Sequence, residues 1–175
     1  MGFNCNILLS DIDINCNKRV TGGIKKAILL LQEDLVVTFD PSDETQVVSV
    51  DTSNTVTFEH NGKDGVTNFS ETKNTANGLG VVTTNITIQA PVVDNKVNRI
   101  DYMSRREDIA CILLHNNDTV SISGWMDGLT MNYEASSGTS VGDKSFVNVN
   151  LNTESGIASL LLNSKSVFTD QTIFE

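Results

Sequence analysis

The chain has 175 residues and a formal charge of -10 at pH 7, from 22 acidic against 12 basic side chains. That length suits one ordinary domain, and so acidic a balance excludes a protein that grips nucleic-acid phosphates over its whole surface. Ser, Thr and Asn together make up about 30% of the residues beside abundant Val and Ile, which favours strands and turns over helices.

No run approaches the roughly 18 apolar residues of a membrane helix. The opening MGFNCNILLSD lacks the basic region of a secretory leader, so neither a leader nor a membrane partner is expected. Three cysteines, Cys5, Cys16 and Cys111, are an odd number without a CxxC pair, which points to neither a disulfide framework nor a zinc knuckle.

In chain order, residues 1–20 read as an arm or edge strand, with Ile7, Leu9, Ile12 and Ile14 spaced among polar residues. After Gly22-Gly23, Ile24 to Leu31 is the first predicted strand, a turn falls around Gln32 to Asp34, and Leu35 to Phe39 continues that strand. Asp40-Pro41-Ser42-Asp43 is turn chemistry, opening a loop expected to reach Thr45. Strands are predicted at Gln46 to Asp51, Thr55 to Glu59 and Thr67 to Lys73. Between the last two, His60-Asn61-Gly62-Lys63-Asp64-Gly65 holds both Asn-Gly and Asp-Gly, so a β-hairpin is expected there. Val81 to Ala90 follows, with Val82, Thr84, Ile86 and Ile88 on one face and Pro91 ending the ladder.

A single helix is predicted over about 96–114, where Ile100, Met103, Ile109 or Ala110, and Leu113 recur at three-to-four spacing. His115-Asn116-Asn117-Asp118 stops it, and strands return at Thr119 to Ser123, Leu129 to Glu134 and Ser145 to Asn152. In the last of these, Val149 and Leu151 alternate with Asn148, Asn150 and Asn152, so one face is buried while the other displays amides. Ala135 to Lys144 is a small-residue loop, and the apolar patch Ile157 to Leu162 precedes a polar tail.

Catalysis needs a constellation of bases and nucleophiles, and none is legible. His60 opens a turn and His115 ends the predicted helix, while Cys111 sits among Ala110, Ile112 and Leu113 as a small apolar residue. Asp11-Ile12-Asp13-Ile14-Asn15 begins like a calcium loop but meets Cys16 where glycine is required. No enzyme activity, catalytic residue, cofactor or metal site is therefore expected.

The cations are grouped: Lys18, Arg19, Lys25 and Lys26 form one set, and Lys96, Arg99, Arg105 and Arg106 another. They make either a solvated face or contacts with acidic surface, such as Asp40, Asp43, Glu44 and Asp51, on neighbouring copies of the chain. The candidate subunit interface comprises Lys25, Lys26, Asp40, Asp43, Glu44, Arg99, Arg105 and Arg106, with Ser137, Gly138 and Thr139 of the small-residue loop.

Further features stand together: a Cys-containing arm leading into Gly22-Gly23-Ile24-Lys25-Lys26, one central helix, Ser123-Gly124-Trp125-x-x-Gly128-Leu129, and Gly138-Thr139 with Gly142-Asp143 before the last strand. This pattern resembles the tail-tube protein family of tailed bacteriophages, and more closely the tail-tube-like and neck-ring proteins of phages infecting Bacteroidetes, including the crAss-like group. The resemblance implies a mainly β protein, a β-sandwich or barrel with one flanking helix. Its domain would span 21–152, between an arm at 1–20 and a C-terminal extension at 153–175. It further implies a virion structural protein of the neck or tail, made in the host bacterial cytoplasm. Such a subunit forms a homo-oligomeric ring of about six or twelve copies, contacts adjacent neck or tail proteins, and lets DNA pass without specific binding. The alternative is a β-sandwich module that binds carbohydrate or a surface, as in a fibre or adhesin.

Overall fold

The computed structural model describes residues 23–59, 66–75, 80–91, 94–136 and 146–174. The protein is mainly β, a sandwich with one flanking helix. Its centre is a five-stranded antiparallel sheet in the order β11-β8-β7-β1-β4. The members are β1 (Ile24–Leu31), β4 (Val56–Glu59), β7 (Ile109–His115), β8 (Val120–Ser123) and β11 (Leu160–Leu162). A four-stranded sheet, β5-β6-β10-β9, is built from β5 (Val66–Asn74), β6 (Val81–Pro91), β9 (Thr130–Ser136) and β10 (Phe146–Ser155). β2 (Leu35–Asp40) and β3 (Asp43–Thr52) form a separate two-stranded ribbon.

The unbroken apolar stretches of β1 and β7 explain why the five-stranded sheet lies in the middle. Strand side chains alternate between faces, so a strand apolar at every position must be covered on both. Ala27, Leu29, Cys111 and Leu113 accordingly pack with Ile86, Ile88, Val149 and Leu151 of the four-stranded sheet. Ile28, Leu30, Ala110 and Ile112 point the other way, onto Leu35 and Val50 of the ribbon and onto Phe168 and Phe174. Fully burying each such Leu, Ile or Phe contributes roughly 1.5–3 kcal/mol, so the doubly covered sheet carries most of the stabilising burial.

The helix is shorter than its periodicity predicts. α1 spans Asp94–Met103, and Ile109 to His115 is the strand β7, hydrogen-bonded between β1 and β8. The three-to-four spacing of Ile100, Met103 and Leu113 was shared by two unlike elements, and the consecutive apolar residues from Ile109 to Leu114 fit a doubly buried strand better than one helix stripe. Ser104 Oγ donates to the Asp101 carbonyl at 2.8 Å, and Arg106 then turns the chain by holding Asp108 through Nε at 2.9 Å. His115 therefore ends a strand, not a helix, and Cys111 is a core residue of a strand.

Three further expectations change. Leu35 to Phe39 does not continue β1: a 3-10 turn over Gln32–Asp34, with Gln32 N donating to the Asp108 carbonyl at 2.7 Å, sends it into the ribbon. The ribbon turns at Pro41-Ser42, where Ser42 N donates to Asp40 Oδ1 at 2.7 Å, and β3 already begins at Asp43, so the expected loop to Thr45 is shorter. The expected hairpin between Thr55 to Glu59 and Thr67 to Lys73 is absent as a pairing, because β4 pairs with β1 and β5 with β6, in different sheets. Its turn, 60–65, lies outside the described residues. A turn signal specifies a reversal of direction, whereas the partner is chosen by where Val56 and Phe58 find apolar cover.

Residues 153–174 belong to the fold. β10 runs to Ser155, β11 adds to β8, and the polar tail seats Phe168 against Val50 in a parallel bridge, with Phe174 edge-on at 4.9 Å from Phe168. The arm at 1–20 lies outside the described residues. No helix among the described residues is long and apolar enough to cross a membrane.

Candidate functional site

The four-stranded sheet turns one face to the core and the other to solvent. Val82, Ile86, Ile88, Val147, Val149 and Leu151 are buried, as their alternation predicts. The register then aligns the outward residues in rows across the strands. One row reads Asn68, Thr87, Asn150, Asn132; the next reads Ser70, Asn85, Asn152, Thr130; and the one before reads Val66, Gln89, Asn148, Glu134. Beyond them, Thr72 and Thr83 adjoin Glu154.

This face is built of hydroxyls and amides, with the carboxylates Glu134 and Glu154 and no Lys or Arg. Thr87 Oγ1 donates to Asn150 Oδ1 at 3.1 Å, and Thr130 Oγ1 is bonded to Asn152 across the β9–β10 pair. A shallow trough crosses it between Val66, Asn68, Gln89 and Glu134. Among the described residues β5 pairs only with β6 and β9 only with β10, so these are the sheet's two edge strands.

The interface residues expected from sequence are distributed over separate elements. Lys25 Nζ pairs with Asp118 Oδ1 at 2.7 Å. Lys26 is buried and reaches Glu59 Oε1 at 2.7 Å, which places it inside the protomer. Asp40 and Asp43 flank the ribbon turn, each closing an Asx turn, and hydrogen bonds from Thr45 hold the Asp43 carboxyl below its ordinary pKa. Glu44 is in β3, while Ser137, Gly138 and Thr139 lie outside the described residues.

Of the three arginines, Arg99 is on α1 and caps the carbonyls of Asn54 and Thr55 at 2.6 and 3.3 Å. Arg105 follows the helix and pairs with Asp101 at 2.7 Å. Arg106 bonds Asp108 and lies 3.5 Å from Glu33, so its guanidinium is pushed further up in pKa while Asp108 is held down. These cations thus spend much of their hydrogen-bonding capacity within their own chain. Asp101 and Asp108 lie only four and two residues from their arginines, whereas Glu33, Glu59 and Asp118 lie too far away in sequence for spacing alone to reveal them.

Gly124 and Gly128, singled out by their motif, are both required by geometry, with φ of +71° at each. A Cβ on Gly128 would come within 2.4 Å of the Glu107 carbonyl. Between them Trp125 contacts Phe39 of the ribbon, ring centroids 5.6 Å apart, and donates from Nε1 to the Ala158 carbonyl at 3.2 Å. The motif therefore joins ribbon, central sheet and C-terminal segment.

Among the described residues no three His, Cys, Asp or Glu side chains converge as a metal set. His115 bonds Ser121 Oγ at 2.8 Å, and burial lowers its pKa from 6.5. Burial pushes the Cys111 thiol far up, which disfavours thiolate chemistry there. Comparison of the chain with protein-family models, curated proteins and solved structures found no match.

Proposed function

We propose that this chain is a structural subunit that closes with copies of itself into a ring in the neck or tail of a tailed bacteriophage, around the DNA channel. The observation that carries the reading is the four-stranded sheet, with β5 and β9 as its edge strands and, among the described residues, an outward face free of cations. Pairing β5 of one copy with β9 of the next would remove both edges, the physical liability that closed barrels abolish. The central sheet and the helix pack on the sheet's core side, so the amide and hydroxyl face would line the lumen.

Such a wall suits DNA transit. Glu134 and Glu154 repel phosphate, and the neutral amides offer no counter-charge to hold it, so DNA passes without specific binding. The family resemblance implies about six or twelve copies, with adjacent neck or tail proteins stacking on the ring. The subunit acts by shape and charge rather than by catalysis.

Light scattering on the eluting protein, followed by electron microscopy of the same fraction, tests the assembly, and mass spectrometry of purified virions tests its location. Closed rings and a virion peptide signal are expected. A protein that stays monomeric at high concentration and is missing from virions overturns the proposal and favours the carbohydrate- or surface-binding module.

A further inference from the structure

A separate cleft of about 280 Å³ opens between α1, the 3-10 turn after β1 and the turn joining β3 to β4. Its volume is close to the lower end of the roughly 300–1,000 Å³ typical of small-molecule sites. Leu31 and Met103 form a buried apolar floor, and Tyr102, 58% exposed, stands as an aromatic wall.

The polar groups around that floor are fixed before any ligand arrives. Asp34 Oδ1 accepts from Ser53 Oγ at 2.7 Å and from Asn54 Nδ2 at 2.8 Å, which leaves Oδ2 unengaged among the described residues. Arg99 gives one N–H of each Nη to the carbonyls of Asn54 and Thr55, so its Nε edge remains to bind a carboxylate. Asn54, with φ of +48°, is thus tied to an anion through its side chain and to a cation through its carbonyl.

Glu33, 62% exposed, stands at the rim 3.5 Å from Arg106, whose guanidinium is already bonded to Asp108, so one carboxylate of that group stays uncompensated. Asp34 supplies a second carboxylate and Arg99 the cation, so the cleft offers charges of both signs beside an apolar surface. An anion alone would meet repulsion from Asp34 and Glu33, and a cation alone would leave Arg99 unmatched, whereas a short zwitterion engages both signs.

We propose that this cleft binds a small zwitterion of the α-amino-acid class with an apolar side chain. Its carboxylate lies on Arg99, its ammonium on Asp34, and its side chain over Leu31, Met103 and Tyr102. The ring reading neither requires nor supplies this site.

The test is a nitrogen–proton NMR titration of the full chain with L-leucine, N-acetyl-leucine and leucinamide, the last two each lacking one charge. Saturable shifts centred on the cleft are expected for leucine, with each blocked analogue binding at least tenfold more weakly, about 1.4 kcal/mol. Asp34→Asn should weaken leucine by a similar factor while leaving N-acetyl-leucine unchanged, a selectivity that general loss of folding would not produce. Absence of a saturable shift at the cleft, equal binding of all three compounds, or an Asp34→Asn variant indistinguishable from wild type towards leucine overturns the proposal.

Discussion

Lys26 and Glu59 face each other across the β1–β4 pair, with Nζ 2.7 Å from Oε1 and the lysine side chain only 8% exposed. The ammonium is inside the protein and depends on that carboxylate, which itself is 46% exposed and partly screened. Removing Glu59 strands a buried charge, whereas removing Lys26 leaves a carboxylate that water can reach. Glu59→Gln is expected to destabilise by about 1–3 kcal/mol, and Lys26→Met by less, measured by urea unfolding. The reverse order would mean that the pair does not hold the lysine in place.

Gly128→Ala should cost more than about 2 kcal/mol, since it combines a left-handed φ with a collision against the Glu107 carbonyl. Gly156→Ala is the control, because a Cβ there meets nothing within 4 Å, and it should stay within about 0.5 kcal/mol of wild type. Thermal unfolding of the two variants side by side reads the difference.

Phe168 is 2% exposed and packs on Val50 and Phe174, although it lies in the polar tail. Phe168→Ala is expected to lose about 3–5 kcal/mol. A chain cut after Ser155 would remove β11 and uncover part of one face of the five-stranded sheet, and should fail to give a cooperative transition. Wild-type stability in that truncated chain would show the tail to be an appendage.

His115 imposes an acid limit whose sign follows from its lowered pKa. Above 6.5 the ring is neutral in both folded and unfolded chains, so it adds no pH dependence. Below 6.5 the unfolded chain takes up the proton first, and stability falls until pH passes the folded value. His115→Gln should therefore lose less stability than wild type on going from about pH 8 to about pH 5 in denaturant titrations. Identical losses would place the acid sensitivity of this window on another group; Asp108, whose carboxyl is held low by Arg106, loses its contribution only as pH falls below its ordinary value of 3.8.

Cys111 is fully buried, and its thiol is pushed well above the ordinary range by burial alone. In a Cys5→Ser, Cys16→Ser background it should react with a thiol reagent only at the rate of unfolding, with full reaction in denaturant. Rapid labelling under native conditions would show that β7 opens locally.

Much of the site was legible along the chain. Alternation in Val82 to Ile88 and in Val147 to Asn152 identified the buried and amide faces, because a strand's side-chain period of two depends on local geometry alone. Aligning Asn150 with Thr87 and Asn68 required the register, a long-range property. The cleft was illegible for the same reason: Asp34 and Arg99 meet Asn54 from 20 and 45 residues away.

Local pattern thus determined the β character, the acidity, the ribbon turn at Pro41-Ser42 and which residues of β6 and β10 point inward. Tertiary structure decided that Ile109 to His115 is a strand, since an apolar run of that kind suits either element until β1 and β8 supply its hydrogen bonds. It likewise separated β4 from β5 and drew Phe168 into the core. In each case the apolar surface that a segment covers lies far away in the sequence, and burial free energy depends on that partner rather than on the segment's own order of residues.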